Sequence, residues 1–246
     1  MNFFDLVNIS ERYMELVNPA SQEKILAIGR ILNLNSNSRV VDFGCGYGEM
    51  LALWAAEFGI SGTGVELRDH ACQRAIQKMI DRDLRGRIEI VCGDAAEYEF
   101  RHHAYTVATC VGASFIWGGF RKTVLGMKPA IEDNGRLVIG EPYWLRDQVP
   151  PEYMATEPSV HFEKELLEIV HEEGFDIEYV VRSNHDDWDR YEAGNWYALV
   201  RWIEENPDHP ERKEVIDHLH TSQELYFKYT REYLGWAMYV LNSASY

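Results

Sequence analysis

Apolar residues change their spacing several times along this chain, and each change marks an element. Ile25, Ile28 and Leu32 recur at helical spacing behind Ser21, a residue placed to cap a helix. "RVVDF" at 39–43 then reads as a strand. "EMLALWAAEFG" reads as a helix with Met50, Trp54 and Phe58 on one face and Gly59 as its stop. "GTGVE" is a second strand, and residues 69–81 a helix with Asp69 as cap and Cys72, Ile76 and Met79 inward. "RIEIVCGD" and "YTVATCV" are further strands, followed by a helix over 115–126 and a fifth strand, "GRLVIGE".

Strands alternating with helices imply βαβ units with right-handed crossovers, hence an open, doubly wound α/β sheet. Beyond residue 141 the pattern changes. "PYWLRDQVPPEY" reads as a loop, and Phe162, Leu166, Ile169 and Val170 as a helix closed by Gly174. "FDIEYVVR" alternates as a strand, with Phe175, Ile177, Tyr179 and Val181 pointing one way, and "YLGWAMYVLN" is a seventh strand. Between these two, residues 183–232 read as a helical cap of two helices broken at "NPDHP". One carries Trp188, Tyr191, Asn195, Leu199 and Trp202 on one face; the other carries Val215, Leu219, Tyr226 and Tyr229. The whole chain, 1–246, reads as one domain with an N-terminal helical segment over 1–38.

Composition narrows the function. The 24 basic and 40 acidic residues leave a formal net charge of −16, which repels phosphate backbones and argues against nucleic acid as a partner. The basic stretch "RDLRGR" at 82–87 reads as a solvated helix end. Cys45, Cys72, Cys92 and Cys110 form no C-x-x-C pair and read as small, reduced core residues. The histidines form no H-x-x-x-H pair, so no metal site is expected. No signal peptide is visible, and no apolar run approaches the roughly 20 residues that span a bilayer. The expectation is a soluble, cytoplasmic protein with no membrane partner, as a monomer or weak homodimer.

The chemistry concentrates in "VVDFGCGYGEM" at 40–50. Gly44, Gly46 and Gly48 follow the first strand, where an open α/β sheet binds ligands, and allow backbone N–H groups to approach closely. The dinucleotide pattern G-x-G-x-x-G fails at Glu49, and no Gly-Lys-Ser/Thr is present. Asp42 beside the loop would repel a pyrophosphate and suits an ammonium or sulfonium group. Glu66 ends the second strand, where a carboxylate accepts from both hydroxyls of a ribose. Asp94, after the third strand, is placed to accept from an exocyclic adenine amine.

This ordered set resembles the class I S-adenosylmethionine (SAM) methyltransferases over roughly 20–145 and the last two strands. The resemblance implies a Rossmann-like, seven-stranded, mostly parallel sheet with an antiparallel last strand. It implies that Asp42, Gly44, Cys45 and Gly46 border the methionine moiety of SAM, and that Glu66 and Leu67 hold the ribose. Asp94 and Ala95 would flank the adenine, with Cys110 and Val111 beside the methyl group. "CVGASFIWGGF", "GEPYW", "DWDRYEAGNW" and "ENPDHP" are similar to one branch, the YjhP-like bacterial small-molecule methyltransferases.

The acceptor side is less distinctive. Glu141 in "GEPYW" is an acid in apolar surroundings, suited to act as a base or to hold its loop. Tyr143 and Trp144 either line an acceptor pocket or pack beneath the cap. Trp117, before two glycines, marks close approach of substrate or of another helix. Trp188 and Tyr191 carry aromatic surface beside carboxylates, a setting for a planar or cationic acceptor, and also fit a core stripe. Arg12 and Tyr13 lie in an N-terminal segment that either folds over the cofactor or docks on the sheet edge. Three functions fit: a SAM-dependent methyltransferase acting on a small molecule, a non-catalytic module binding SAM or S-adenosylhomocysteine, and a nicotinamide-dependent oxidoreductase. Asp42 and Glu49 oppose the last.

Overall fold

The computed structural model describes residues 1–243. Two helices open the chain, α1 (Phe3–Ser10) and α2 (Gln22–Ile31). The alternating block follows: β1 (Arg39–Phe43), α3 (Glu49–Phe58), β2 (Ser61–Glu66), α4 (Asp69–Asp81), β3 (Ile88–Cys92), β4 (Tyr105–Val111), α5 (Phe120–Met127) and β5 (Ile131–Trp144). The last part holds α6 (Pro151–Met154), β6 (His161–Phe162), α7 (Glu163–Glu172), β7 (Phe175–Arg182), α8 (His185–Glu205), α9 (Arg212–Leu225), a π turn at Tyr226–Thr230, α10 (Arg231–Tyr233) and β8 (Leu234–Ser243).

The strands lie in the order β3-β2-β1-β4-β5-β8-β7, with the two-residue β6 pairing the end of β5. The order reverses between β1 and β4, which puts the switch point of the sheet at the glycine loop. β8 runs antiparallel to both β5 and β7, and the β1–β2, β1–β4, β2–β3 and β4–β5 pairs are parallel. The expected Rossmann-like sheet is therefore present, with β6 as an eighth, minimal strand. Because strand side chains alternate, Val40 joins the core under α2 and α3, while Val41 joins the core under α5 and α7. Trp54 locks the first of these, donating its indole N–H to the carbonyl of Ile25 at 2.8 Å. Ser21 caps α2 as expected, accepting from Lys24 N. No helix among the described residues is long and apolar enough to cross a membrane.

Several local expectations are corrected. The helix expected over 115–126 is split into a 3-10 turn (Ser114–Ile116) and α5, because Gly118 and Gly119 adopt φ of 81° and 116° between them. "PYW" is strand, not loop: β8 pairs β5 as far as Trp144↔Leu234 and supplies the ladder. Pro142 fits because it lies past the last β4 partner, Gly140, and before the first β6 partner, Tyr143, where that flank is unpaired. In β7 a register shift between Ile177 and Tyr179 breaks the alternation, so Val180 joins Phe175 and Ile177 inside and Tyr179 is exposed. The cap position of α4 belongs to Arg68, with Asp69 the first helical residue.

The cysteines are also corrected. Cys72 and Cys92 form a disulfide joining α4 to the end of β3, with Cα atoms 5.6 Å apart, and Cys45 and Cys110 are free. A helix packed on its neighbouring strand brings residues 20 apart in sequence into bonding range, which spacing along the chain does not signal.

Candidate active site

The glycine loop is held in left-handed geometry, with φ of 74°, 55° and 70° at Gly44, Gly46 and Gly48. Both Gly44 N and Cys45 N donate to Val65 O, turning the chain back over β2. A Cβ at Gly44 would lie 2.7 Å from that of Ala113, and one at Gly46 2.8 Å from a methyl of Val17. The loop is thus sandwiched between the turn after β4 and the N-terminal segment.

Asp42, on β1, is buried and accepts a 2.7 Å hydrogen bond from the hydroxyl of Thr109 on β4. Burial pushes its pKa up to about 7, against the Thr109 hydrogen bond, with the charge of Glu66 adding to the rise. No cation pairs with it among the described residues.

Glu66, at the end of β2, is engaged on both oxygens. Oε2 accepts from Gly46 N at 2.9 Å, and Oε1 accepts from Arg68 N at 2.9 Å and Arg68 Nε at 3.1 Å. The Arg68 guanidinium also reaches Glu11 Oε2 at 2.7 Å, joining the end of β2 to the segment after α1. Burial raises the pKa of Glu11 despite the opposing charge of Arg68.

Glu49, the residue that breaks the dinucleotide pattern, is the centre of a buried ion network. It receives Lys78 Nζ at 2.6 Å and Arg82 Nη2 at 2.9 Å, and Lys78 also meets Glu15 at 2.5 Å. Arg74 stacks on Tyr47, its Cζ 3.9 Å from the ring centroid, and donates to the carbonyls of Arg12 and Met14. The "RDLRGR" stretch is accordingly anchored at its first residue and not simply solvated. These anchors were missed in the sequence reading. Arg74, Lys78 and Arg82 are spaced by four along α4 and its C-cap, which marks a basic face in the sequence but not the acids it meets.

A cavity of about 570 Å³ opens at the strand ends. Of the residues expected at the cofactor, Gly44, Gly46, Glu66 and Leu67 line it, as do Asp94, Ala95 and Val111. Asp94 shapes its own turn, accepting from Ala96 N at 2.9 Å. Asp42 and Cys45 line a small adjoining pocket that shares Val17, Gly44 and Val111 with the cavity. Cys110 is buried beneath. The roof comes from α1 and the residue after it, through Phe3, Phe4, Val7 and Glu11. Of the two positions open to the N-terminal segment, it takes the one over the cavity.

The acceptor candidates scatter. Tyr191, on α8, lines the cavity, and both Tyr13 and Tyr191 line a neighbouring cleft. Trp117 lies outside: it packs edge-on against Phe43 at 5.2 Å and fills the space above Gly126, so helix packing accounts for the glycine there. Tyr143 packs over Gly235, and Trp144 meets Tyr153 edge-on at 5.5 Å in the core. Trp188 is buried against Tyr191. Arg12 pairs with Glu205 at 2.8 Å. Glu141 is buried, accepts from the Ser114 hydroxyl at 2.8 Å, and does not line the cavity. Burial pushes its pKa up to about 7, against the Ser114 hydrogen bond.

Comparison with known proteins bears on this geometry. A methyltransferase domain model matches residues 40–131. YjhP of Escherichia coli (strain K12) is 33% identical over 242 residues, covering 96% of this chain and 97% of that protein. Among solved structures, a SAM-dependent methyltransferase from Thiobacillus denitrificans, in complex with S-adenosyl-L-homocysteine, superimposes with a TM-score of 0.92 at 33% identity, covering 99% of this chain and 100% of that one. Another from Geobacter sulfurreducens, also in complex with S-adenosyl-L-homocysteine, gives 0.90 at 35% identity, covering 97% and 98%.

Proposed function

From the premise that this chain belongs to the SAM-dependent methyltransferases, in the branch that contains YjhP, we propose that it transfers a methyl group to a small molecule by in-line displacement. Bound SAM supplies a methyl carbon already activated by a positively charged sulfur. The protein's part is alignment and exclusion of water, and proximity and orientation supply much of the rate.

The residues present fit that cofactor. Asp42 is a buried carboxylate without a cation partner, beside a small pocket bordered by the loop; it is suited to the methionine ammonium. Glu66 holds the ribose through Oε2. A carboxylate has about four lone-pair sites, and Gly46 N and the two Arg68 donors take three, so one ribose hydroxyl is accommodated directly. The second requires Arg68 Nε to let go, which also loosens its contact with Glu11. Asp94 and Ala95 border the adenine end, and Leu67, which is 54% exposed, covers its face.

The observation that carries the small-molecule reading is the roof. Phe3, Phe4 and Val7 from α1 and Tyr191 from α8 overhang a cavity of about 570 Å³, within the range of small-molecule sites, about 300–1,000 Å³. Glu141 acts in this reading as a positioning residue. Through Ser114 it holds the turn whose Gly112, Ala113 and Phe115 line the cavity.

The test is methyl transfer from radiolabelled SAM into separate pools of small metabolites, protein and nucleic acid. Label in the small-metabolite pool is expected. Label confined to a macromolecular pool would overturn the reading, and tight S-adenosylhomocysteine binding with no label anywhere would mark a non-catalytic binding module.

A further inference from the structure

The Cys72–Cys92 disulfide straps together two parts of the cofactor site. Cys72 lies one turn along α4 from Arg68, and its N–H donates to the Arg68 carbonyl at 2.9 Å. Arg68 in turn holds Glu66, assigned above to the ribose, through its N–H and Nε. Cys92 stands beside Glu66 in the β2–β3 register, two residues before Asp94 at the adenine end. β3 is an edge strand, paired among the described residues with β2 alone. The disulfide therefore fastens the end of β3 from the α4 side, where no second ladder does.

Access to the two sulfurs differs. Cys72 is fully buried, whereas Cys92 is exposed. A Cβ at Gly93 would meet nothing within 4 Å, so the space beside Cys92 is open to an incoming thiol. Exposed disulfides belong to the labile, regulatory class.

We propose that this bond is a reversible redox switch on cofactor affinity, closed in the tight-binding form and opened at Cys92 by a monothiol of the glutathione class. The inference rests on the reading of the cavity as the SAM site.

The exchange balances in two steps. A thiolate attacks Cys92 Sγ, the bond to Cys72 breaks, and Cys72 leaves as a thiolate that takes a proton from water. A second thiolate then attacks the monothiol sulfur of the mixed disulfide. Cys92 leaves and is protonated, and the two monothiols depart as their own disulfide. Two electrons pass from them to the protein. β3 keeps its ladder with β2, and the Asp94 turn keeps its bond from Ala96 N. What is lost is the tie between the adenine turn and the helix that positions Arg68. A ligand must then order both ends itself, which weakens binding. Linkage makes the effect reciprocal: a ligand that prefers the closed form makes the bond harder to reduce by the same factor.

The experiment equilibrates the full chain, without denaturant, in buffers of reduced and oxidised glutathione. Thiols are counted by maleimide labelling after acid quenching and unfolding, and S-adenosylhomocysteine affinity is measured by calorimetry. The count should rise from the two free cysteines, Cys45 and Cys110, to all four while the chain stays folded. Affinity should fall about fivefold in the reduced form. Saturating S-adenosylhomocysteine should move the redox midpoint about 20 mV more negative, the same fivefold factor for a two-electron couple. Oxidised glutathione should label Cys92 in Cys72→Ala faster than Cys72 in Cys92→Ala. The proposal falls if the bond stays closed in reduced glutathione, if both forms bind equally well, or if the midpoint ignores the ligand. Faster labelling of Cys72 would overturn the assigned point of attack. Failure of the cofactor reading is seen separately, as absence of S-adenosylhomocysteine binding to the oxidised chain before any thiol is added.

Discussion

At Asp42, one carboxyl group ties stability to binding through pH. Burial raises its folded pKa to about 7, above the value of an unfolded aspartate. Its contribution to stability is therefore complete below about pH 4 and is lost as pH rises through about 7. Asp42→Asn removes the ionisation. The variant should be more resistant to thermal unfolding than wild type at pH 8, with the gain shrinking towards pH 4. Its effect on the ligand has the opposite sign. An ammonium beside Asp42 favours the carboxylate, so wild-type affinity for S-adenosylhomocysteine should rise between pH 6 and 8. In Asp42→Asn the affinity should be lower by roughly 1.5–3 kcal/mol, the worth of a hydrogen bond to a charged group, and that rise should vanish. Calorimetry at three pH values checks both, and equal slopes would remove the assignment. Glu141 titrates in the same window for the same reason, with Ser114 opposing. Glu141→Gln should likewise stabilise the protein at pH 8, yet leave the pH slope of S-adenosylhomocysteine affinity intact, because Glu141 does not border the cavity.

Among the elements, the α4–β3 pair is joined covalently and has a direct bearing on the adenine end. The Cys72–Cys92 disulfide closes a span of 20 residues, for which chain entropy gives about 3 kcal/mol. Cys92 is the last residue of β3, and Gly93 N donates to Glu66 O immediately before Asp94. The double variant Cys72→Ser/Cys92→Ser should lose about 3 kcal/mol in urea unfolding and bind S-adenosylhomocysteine several-fold more weakly. Equal stability of oxidised wild type and double variant would show that the bond adds nothing. The same elements show what a sequence can and cannot disclose. The strand–helix alternation through β5 was legible because each element buries one regular face. The glycine loop with Asp42, Glu66 and Asp94 was legible because those residues occupy successive strand ends. The disulfide and the Glu49 network were not, since both depend on how α4 lies against its neighbours. Trp117 misled because its two glycines fit a substrate approach as well as the interrupted helix that is found.

Across the whole molecule, the roof of the site is built from two distant parts of the chain that stabilise each other. Leu6 and Ile9 of α1 pack into a small core with Leu199 of α8 and Val215 and Leu219 of α9. The opposite edge of the same segment lines the cavity through Phe3, Phe4 and Val7, and is tied to β2 through Glu11 and Arg68. A ligand that orders α1 must therefore also order the cap, because the small core transmits the restraint as packing. S-adenosylhomocysteine should slow amide hydrogen exchange in α1 and, with it, in α8 and α9, although α9 does not border the cavity. Leu6→Ala with Ile9→Ala removes part of the shared core at a cost of about 2 kcal/mol to the contact. Protection of α9 should then disappear while that of the glycine loop and β2 persists, and affinity should fall only by the part of the roof that is lost. Ligand protection of α9 that survives in the double variant would show that the cap is ordered independently of α1, and the two would have to be treated as separate closures.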